Sequence, residues 1–156
     1  LHNRTHSFPT RRSSDLPLIV TETDGAITAL GWGRATPDDE TPLLAEARRQ
    51  LAEYFAGKRT AFDLPLAPEG SAFQRAVCDA MLAIPFGETR TYGEIAADLG
   101  ASAQAVGNAC GANPIPILIP CHRVLGATGL GGYSGAGGIE TKVALLRLEG
   151  AGGLLI

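Results

Sequence analysis

The chain has 156 residues, 45% hydrophobic and 19% charged, with a formal net charge of −3. That is apolar material for one ordinary domain or two small ones, and the charge does not suggest a nucleic-acid binder. No apolar run approaches the ~20 residues that cross a bilayer, so no membrane is predicted as a partner. The three cysteines, Cys78, Cys110 and Cys121, have no regular spacing. They make no disulfide framework and suit a reduced, cytoplasmic protein.

Residues 1–16 have no hydrophobic period and carry Arg4, Arg11 and Arg12. Residues 6–16 read as the in-frame translation of a sequencing-library adapter, and the only methionine is Met81. The expectation is a non-native, disordered segment over 1–16, with the true start missing; a targeting peptide is the alternative. Next, β-rich runs at 17–21 and 27–32 flank the turn signal Thr23-Asp24-Gly25. They predict a hairpin left over from a larger sheet. After a polar loop, Thr41 and Pro42 start a helix with Leu44, Ala47, Leu51, Tyr54 and Phe55 at helical spacing, stopped by Gly57. Residues 61–70, with Pro65, Pro68 and Gly70, read as a linker. Two domains are expected, 17–66 and 71–150.

The second half is more regular. Ser71 with Gln74, and Thr91 with Glu94, are capping-box patterns. Phe73, Val77, Met81 and Ile84 form the stripe of one helix; Tyr92, Ile95, Ala96 and Leu99 that of the next. Gly100 ends the latter and Ser102 caps a third helix, whose apolar face reads Ala103, Val106, Gly107 and Cys110. Two short helices around a Gly-containing turn make a helix-turn-helix candidate, though many helical hairpins share the pattern. The third helix has almost no side-chain bulk: Ala103, Ala105, Gly107, Ala109, Gly111 and Ala112. Such a helix either packs tightly on a neighbour or presses into a narrow groove. A Gly-rich loop over 126–138 precedes a last helix, with Ile139, Val143 and Leu146 expected to face inward. Residues 17–70 hold 5 basic and 9 acidic residues, and residues 71–150 hold 5 and 6. The nearly neutral second half permits nucleic-acid binding without arguing for it.

Residues 115–124, Ile-Pro-Ile-Leu-Ile-Pro-Cys-His-Arg-Val, carry the chemistry. Pro114, Pro116 and Pro120 bar a helix or a central strand, so a stiff, extended, buried segment with a reactive tip is predicted. A thiol becomes a strong nucleophile once deprotonated, and a histidine can take the proton, directly or through water. Cys121 and His122 are therefore the candidate nucleophile and base. Glu149, a carboxylate at the unfavourable end of a helix, is the candidate that orients the imidazole. Cys121 and His122 alone are too few for a metal site, and no metal is expected.

These residues, with Asn113-Pro114 upstream and Gly132-Tyr133-Ser134-Gly135, Lys142 and Glu149-Gly150 downstream, closely resemble the O6-alkylguanine-DNA alkyltransferases, also called methylated-DNA–protein-cysteine methyltransferases. Gln50-Leu51, Tyr54 to Gly57, Phe73-Gln74 and Ile84 to Thr89 leading to Tyr92 fit as well, so the resemblance covers about residues 17–150. It implies an α/β, ribonuclease-H-like N-terminal domain, shortened here, and a mainly helical C-terminal domain with a winged-helix-like helix-turn-helix. It implies a monomer that binds double-stranded DNA through the minor groove and flips O6-alkylguanine into a pocket. Cys121 would take the alkyl group once, irreversibly, with no cofactor. His122 would act as base through a water, Glu149 would orient it, and Asn113 would hold the acceptor segment. Tyr92, Val124, Tyr133, Ser134 and Lys142 would bind the substrate base. Thr91, Ser102, Ala103, Gln104, Ala105, Gly107, Gly111 and Arg123 would face DNA. Gln104 stands where much of the family has an arginine that fills the gap left by the flipped base, and Cys78 where a tryptophan is common. The competing readings are a lesion binder without transfer, which Cys121 argues against, and a cysteine hydrolase or redox enzyme, for which no resolving cysteine is adjacent.

Overall fold

The computed structural model describes the backbone of residues 3–8 and, in full, residues 17–33, 40–132 and 138–151. The chain divides into two units, residues 1–68 and 69–156.

The first unit is built on a three-stranded antiparallel sheet in the order β1-β2-β3: β1 (Asn3–Phe8), β2 (Leu18–Thr23) and β3 (Ala26–Trp32). Asp24 and Gly25 both take positive φ, 50° and 82°. That is the requirement of the tight hairpin turns whose twist matches the strands. The register slips between Thr21 and Glu22. The expectation of disorder over residues 1–16 is corrected at β1, which pairs with β2 from Asn3↔Thr23 to Phe8↔Leu18. An edge strand offers a row of free N–H and C=O groups, and β1 satisfies the row that β2 would otherwise leave open.

Helix α1 (Pro42–Phe55) follows, with the Thr41 hydroxyl capping Leu44 N–H at 3.1 Å. It buries Leu44, Ala47, Leu51 and Tyr54 and also a polar residue, Gln50. Gln50 is tolerated inside because its amide is matched to one backbone site: Nε2 donates to Asp63 O at 3.1 Å, and Oε1 accepts Asp63 N–H at 2.8 Å. The segment expected as a linker is partly structural. Ile27 N–H donates to Pro65 O and Ala67 N–H donates to Ile27 O, each at 2.8 Å, so residues 65–67 line the outer edge of β3.

The second unit is mainly helical. Helix α2 (Ala72–Leu82) packs against α4 (Ala103–Gly111), and α3 (Tyr92–Leu99) joins α4 through Gly100, left-handed at φ 64°. The capping box at Thr91 is complete, because Glu94 reaches back to Thr91 N–H at 2.8 Å. At α2 only half of the expected box forms. Ser71 caps Gln74 N–H, but the Gln74 side chain donates instead to Ala109 O on α4, at 2.7 Å. β4 (Arg90–Thr91) pairs in parallel with β5 (Val124–Leu125), which brings the start of α3 beside the Cys121 segment. Helix α5 (Ile139–Glu149) closes the unit. Its buried residues are Lys142, Leu145, Leu146 and Glu149, while Ile139 is exposed. The predicted face of Ile139, Val143 and Leu146 is therefore rotated. A hydrophobicity reading cannot turn a lysine and a glutamate inward, and the tertiary contacts of those two residues do. No described helix is long and apolar enough to cross a membrane.

Candidate active site

The site is assembled by the segment between α4 and β5. Its path is not the extended one that three prolines suggest. Ile119 N–H donates to Ile115 O at 2.8 Å and Leu118 N–H to Pro116 O at 2.9 Å. Ile117, at the centre of that turn, has φ 73° although it is β-branched and buried. Such a conformation costs about 1–3 kcal/mol and persists only where the surroundings enforce it. Two of them are visible. Ile115 and Ile119 are wholly buried on either side, each worth about 1.5–3 kcal/mol. Asn113 clamps the turn, its Oδ1 accepting Ile115 N–H at 3.0 Å and its Nδ2 donating to Ile119 O at 2.9 Å. Cys121 N–H donates to the same Ile119 O at 2.8 Å, and Cys121–Arg123 forms a single 3₁₀ turn.

Behind that turn lies a buried polar chain. His122 is wholly buried, and its Nε2 is 2.7 Å from Glu149 Oε2. Arg123 brackets the same carboxylate, with Nε to Oε1 at 2.8 Å and Nη2 to Oε2 at 3.0 Å, and donates a third bond to Ile84 O at 2.6 Å. Its guanidinium also lies 5.9 Å from the Phe86 ring centroid. Arg123, expected to face DNA, is thus only 7% exposed and committed to Glu149. A planar, five-donor guanidinium matches a buried carboxylate two-pronged, and that geometry draws it inward. With Nε2 held, His122 Nδ1 is left as a buried side-chain nitrogen without a hydrogen-bond partner among the described residues. Burial pushes the imidazole pKa down, against the pull of Glu149, so the ring is neutral near pH 7.

Lys142 is the second buried charge. Its Nζ donates to Val124 O at 2.6 Å and to Gly132 O at 3.1 Å, and it sits 5.7 Å from the Tyr92 ring centroid. Expected as a substrate contact, it is wholly buried and ties the Gly-rich loop to the acceptor segment instead. Burial lowers its pKa to about 8, partly opposed by Cys121 and Cys110. The Cys121 thiol is pushed up by burial, while Asn113 and the Lys142 ammonium pull the other way. Lys142→Met is therefore expected to raise the Cys121 pKa; the pH profile of iodoacetamide labelling at Cys121 should move to higher pH, and an unmoved profile sinks the idea. The sign for stability is also set. Between about 8 and 10.5 the unfolded chain holds a proton on Lys142 that the folded chain has released, so this group favours folding more as pH rises through that window.

Tyr92 opens α3 half-buried, its pKa raised by burial and then by Cys110 and Cys121. Gly131, at φ 71°, lies so close that a Cβ there would stand 2.9 Å from Tyr92 Cε2. The carbonyls of Cys121 and Val124 each accept an internal bond, from Val124 N–H and from Lys142. Thr91 commits both hydroxyl and N–H to the α3 cap. On α4 the buried face is Val106, Ala109 and Cys110 rather than the predicted one that began at Ala103. Ser102, Ala103, Gln104 and Gly111 are exposed, and Ala105 and Gly107 are half-exposed. Tyr133 and Ser134 lie outside the described residues. Sequence reading missed the structural part of Arg123, whose signal was its position beside His122 in an otherwise apolar stretch.

Residues 72–151 match the family model for the 6-O-methylguanine DNA methyltransferase DNA binding domain, and residues 12–68 match the model for the ribonuclease-like domain of the same family. The chain belongs to the 6-O-methylguanine DNA methyltransferase family. Among relatives of this family, the constitutive methylated-DNA–protein-cysteine methyltransferase of Bacillus subtilis is 44% identical over 146 residues, 85% of this chain and 88% of the relative. The Methanosarcina acetivorans methylated-DNA–protein-cysteine methyltransferase is 55% identical over 109 residues, 68% of this chain and 69% of the relative. Mycobacterium tuberculosis OGT, solved in complex with DNA, superposes with a TM-score of 0.79 at 45% identity, covering 96% of this chain and 93% of that one. The methyltransferase fold of this family, a small sheet-based N-terminal domain and a helical C-terminal one, is the fold found here.

Proposed function

We propose that the chain repairs DNA by moving a methyl or other alkyl group from O6 of guanine to Cys121, once per molecule. The observation that carries this reading is the buried Arg123–Glu149–His122 chain directly behind Cys121, which leaves His122 Nδ1 open. A neutral imidazole with one nitrogen fixed on a carboxylate is a base held in a single tautomer. Through one bridging water, Nδ1 takes the Cys121 proton. Glu149 accepts from Nε2–H and stabilises the imidazolium that results. The thiolate attacks the alkyl carbon in line, the S–C bond forms, and the C–O6 bond breaks with its electron pair on the purine. Tyr92 donates to the guanine ring as that charge develops. The product is a stable thioether and unmodified guanine, so nothing in the cycle restores the thiol.

DNA is engaged by α4, whose exposed residues are small enough for its backbone to approach a groove wall, with Thr91 and Ser102 at the two helix starts. Electrostatics contribute little. Of the five cations in residues 71–150, Arg123 and Lys142 are buried, Arg90 pairs with Asp98 at 2.9 Å and Arg75 bonds Gly70 O. Even if Arg75, Arg90 and Arg147 all meet phosphates, log K against log salt falls with a slope no steeper than about −3. Gln104→Arg is expected to steepen the slope by about 1 and to tighten binding. Fluorescence anisotropy across a salt series checks both, and a steep slope in the parent chain counts against this docking face.

The test of the function is direct. The protein is incubated with a duplex carrying O6-methylguanine and its intact mass is read. A gain of one methyl group, located on the peptide with Cys121, supports the transferase. DNA binding with no gain points to a lesion binder, and turnover of a thioester points to a hydrolase.

A further inference from the structure

No second thiol lies near Cys121 in the sequence, but the fold supplies one. Cys110 is in the last turn of α4, buried and free. Three hydrogen bonds lead from its backbone to that of Cys121: Asn113 N–H to Cys110 O at 3.2 Å, Asn113 Nδ2 to Ile119 O at 2.9 Å, and Cys121 N–H to the same oxygen at 2.8 Å. Gly107, one turn earlier on α4, faces the Tyr92 ring, and the Lys142 ammonium lies against that ring while holding Val124 O. Both thiols lie close enough to the Tyr92 hydroxyl and the Lys142 ammonium to act on their protonation, so Cys110 and Cys121 share one neighbourhood. We propose that Cys110 is the resolving thiol for an oxidised Cys121, closing a reversible disulfide that protects the acceptor. The purpose rests on the reading of Cys121 as the alkyl acceptor.

The chemistry balances. A hydroperoxide transfers one oxygen to the Cys121 thiolate, giving a sulfenic acid, and is itself reduced to water or an alcohol. The Cys110 sulfur attacks the Cys121 sulfur, the S–O bond breaks, and the hydroxide leaves as water with the Cys110 proton. With hydrogen peroxide, two thiols become one disulfide and two waters. At rest the Cys110 pKa is pushed up to about 12, by burial and then by the charge of Cys121. A protein that works once loses its whole capacity to any irreversible oxidation of its acceptor, and the disulfide interrupts that ladder at its first rung.

The test treats the full chain with stoichiometric hydrogen peroxide, followed by non-reducing peptide mapping. A Cys110–Cys121 link is expected, with methyl acceptance lost and then restored by dithiothreitol. Cys110→Ala and Cys110→Ser should accept methyl like the parent before oxidation. After oxidation they should carry extra oxygen on Cys121 and regain nothing with excess dithiothreitol once the sulfinic acid has formed. A Cys78–Cys110 link, or Cys121 over-oxidising equally fast with and without Cys110, overturns the proposal. If the link forms in a chain that never accepts methyl, the acceptor reading fails and the thiol pair stands.

Discussion

Cys121→Ala is expected to accept no methyl group from O6-methylguanine DNA while binding the same duplex as tightly as the parent. The acceptor is consumed by the reaction, so no neighbouring group can restore activity at a reduced rate, as happens when one member of a turnover triad is lost. Affinity should hold because Cys121 lies on the 3₁₀ turn, 6% exposed, while the proposed docking face is the exposed side of α4. Cys121→Ser sharpens the test. A hydroxyl at the same place keeps size and polarity but ionises far above the reach of a neutral imidazole. It should be as inactive as alanine. The measurements are intact mass and anisotropy on the same preparation. Methyl gain on any residue of Cys121→Ala sinks the assignment of the acceptor, and a large loss of affinity in both variants places Cys121 in DNA docking instead.

Glu149→Ala should damage the fold as well as the reaction. Removing the carboxylate deprives the buried Arg123 guanidinium of its counter-charge, leaving it the Ile84 carbonyl and the Phe86 face, and it frees His122 Nε2. Breaking one side of a buried ion pair costs about 3–5 kcal/mol, a large share of the roughly 5–15 kcal/mol that holds a domain folded. At about 2–4 °C of Tm per kcal/mol for a chain of this size, melting should fall by about 6–20 °C. Methyl transfer should slow by about 10²–10⁴-fold, the usual worth of a positioned base. The double variant Arg123→Met/Glu149→Leu separates the two effects. Stability should largely return, since well-packed apolar replacements of a buried pair are often neutral. Transfer should remain slow, since nothing orients His122. If the double variant recovers both, Glu149 serves only the fold.

The same chain sets an acid limit. His122 is buried and its folded pKa is below 6.5, so below that pH the unfolded chain binds a proton that the folded chain refuses. Its stabilising effect is therefore present above pH 6.5 and is lost as pH falls through the depressed value. Denaturant midpoints should decline on that side, and the decline should shrink in His122→Asn.

Much of this molecule is local and legible in its residue order. Thr41, Ser71, Thr91 and Ser102 each cap the helix they precede, because a side-chain oxygen at the head of an apolar stripe accepts a backbone N–H that the first turn leaves free. The Asp24-Gly25 hairpin turn and the left-handed Gly100 follow from chemistry within a few residues. The reactive run at 120–124 stands out by an order of residue types that a plain core does not use, and the resemblance carried by that run already points to the family.

What only the tertiary structure decided concerns partners far apart in the chain. Gln74 has the spacing of half a capping box and makes instead a bond from α2 to α4, 35 residues away. Arg123 reads as a DNA contact and turns inward because Glu149, 26 residues on, offers it two oxygens. Lys142 goes inside because two loop carbonyls, at Val124 and Gly132, converge where its stem ends. Burying α5 on Lys142 and Glu149 rotates the whole helix relative to its hydrophobic stripe. The extended segment of the sequence is a coil of turns with Ile117 at positive φ, a state no β-branched residue adopts from its own preference. For the polar side chains the physical reason is common. A short-range pattern weighs a charged or polar side chain by its cost in an apolar setting, and that cost vanishes once the fold delivers a matching donor or acceptor. The sequence by itself determined most of the elements, the reactive run and the family; the three-dimensional structure determined which charges are buried and for whose benefit.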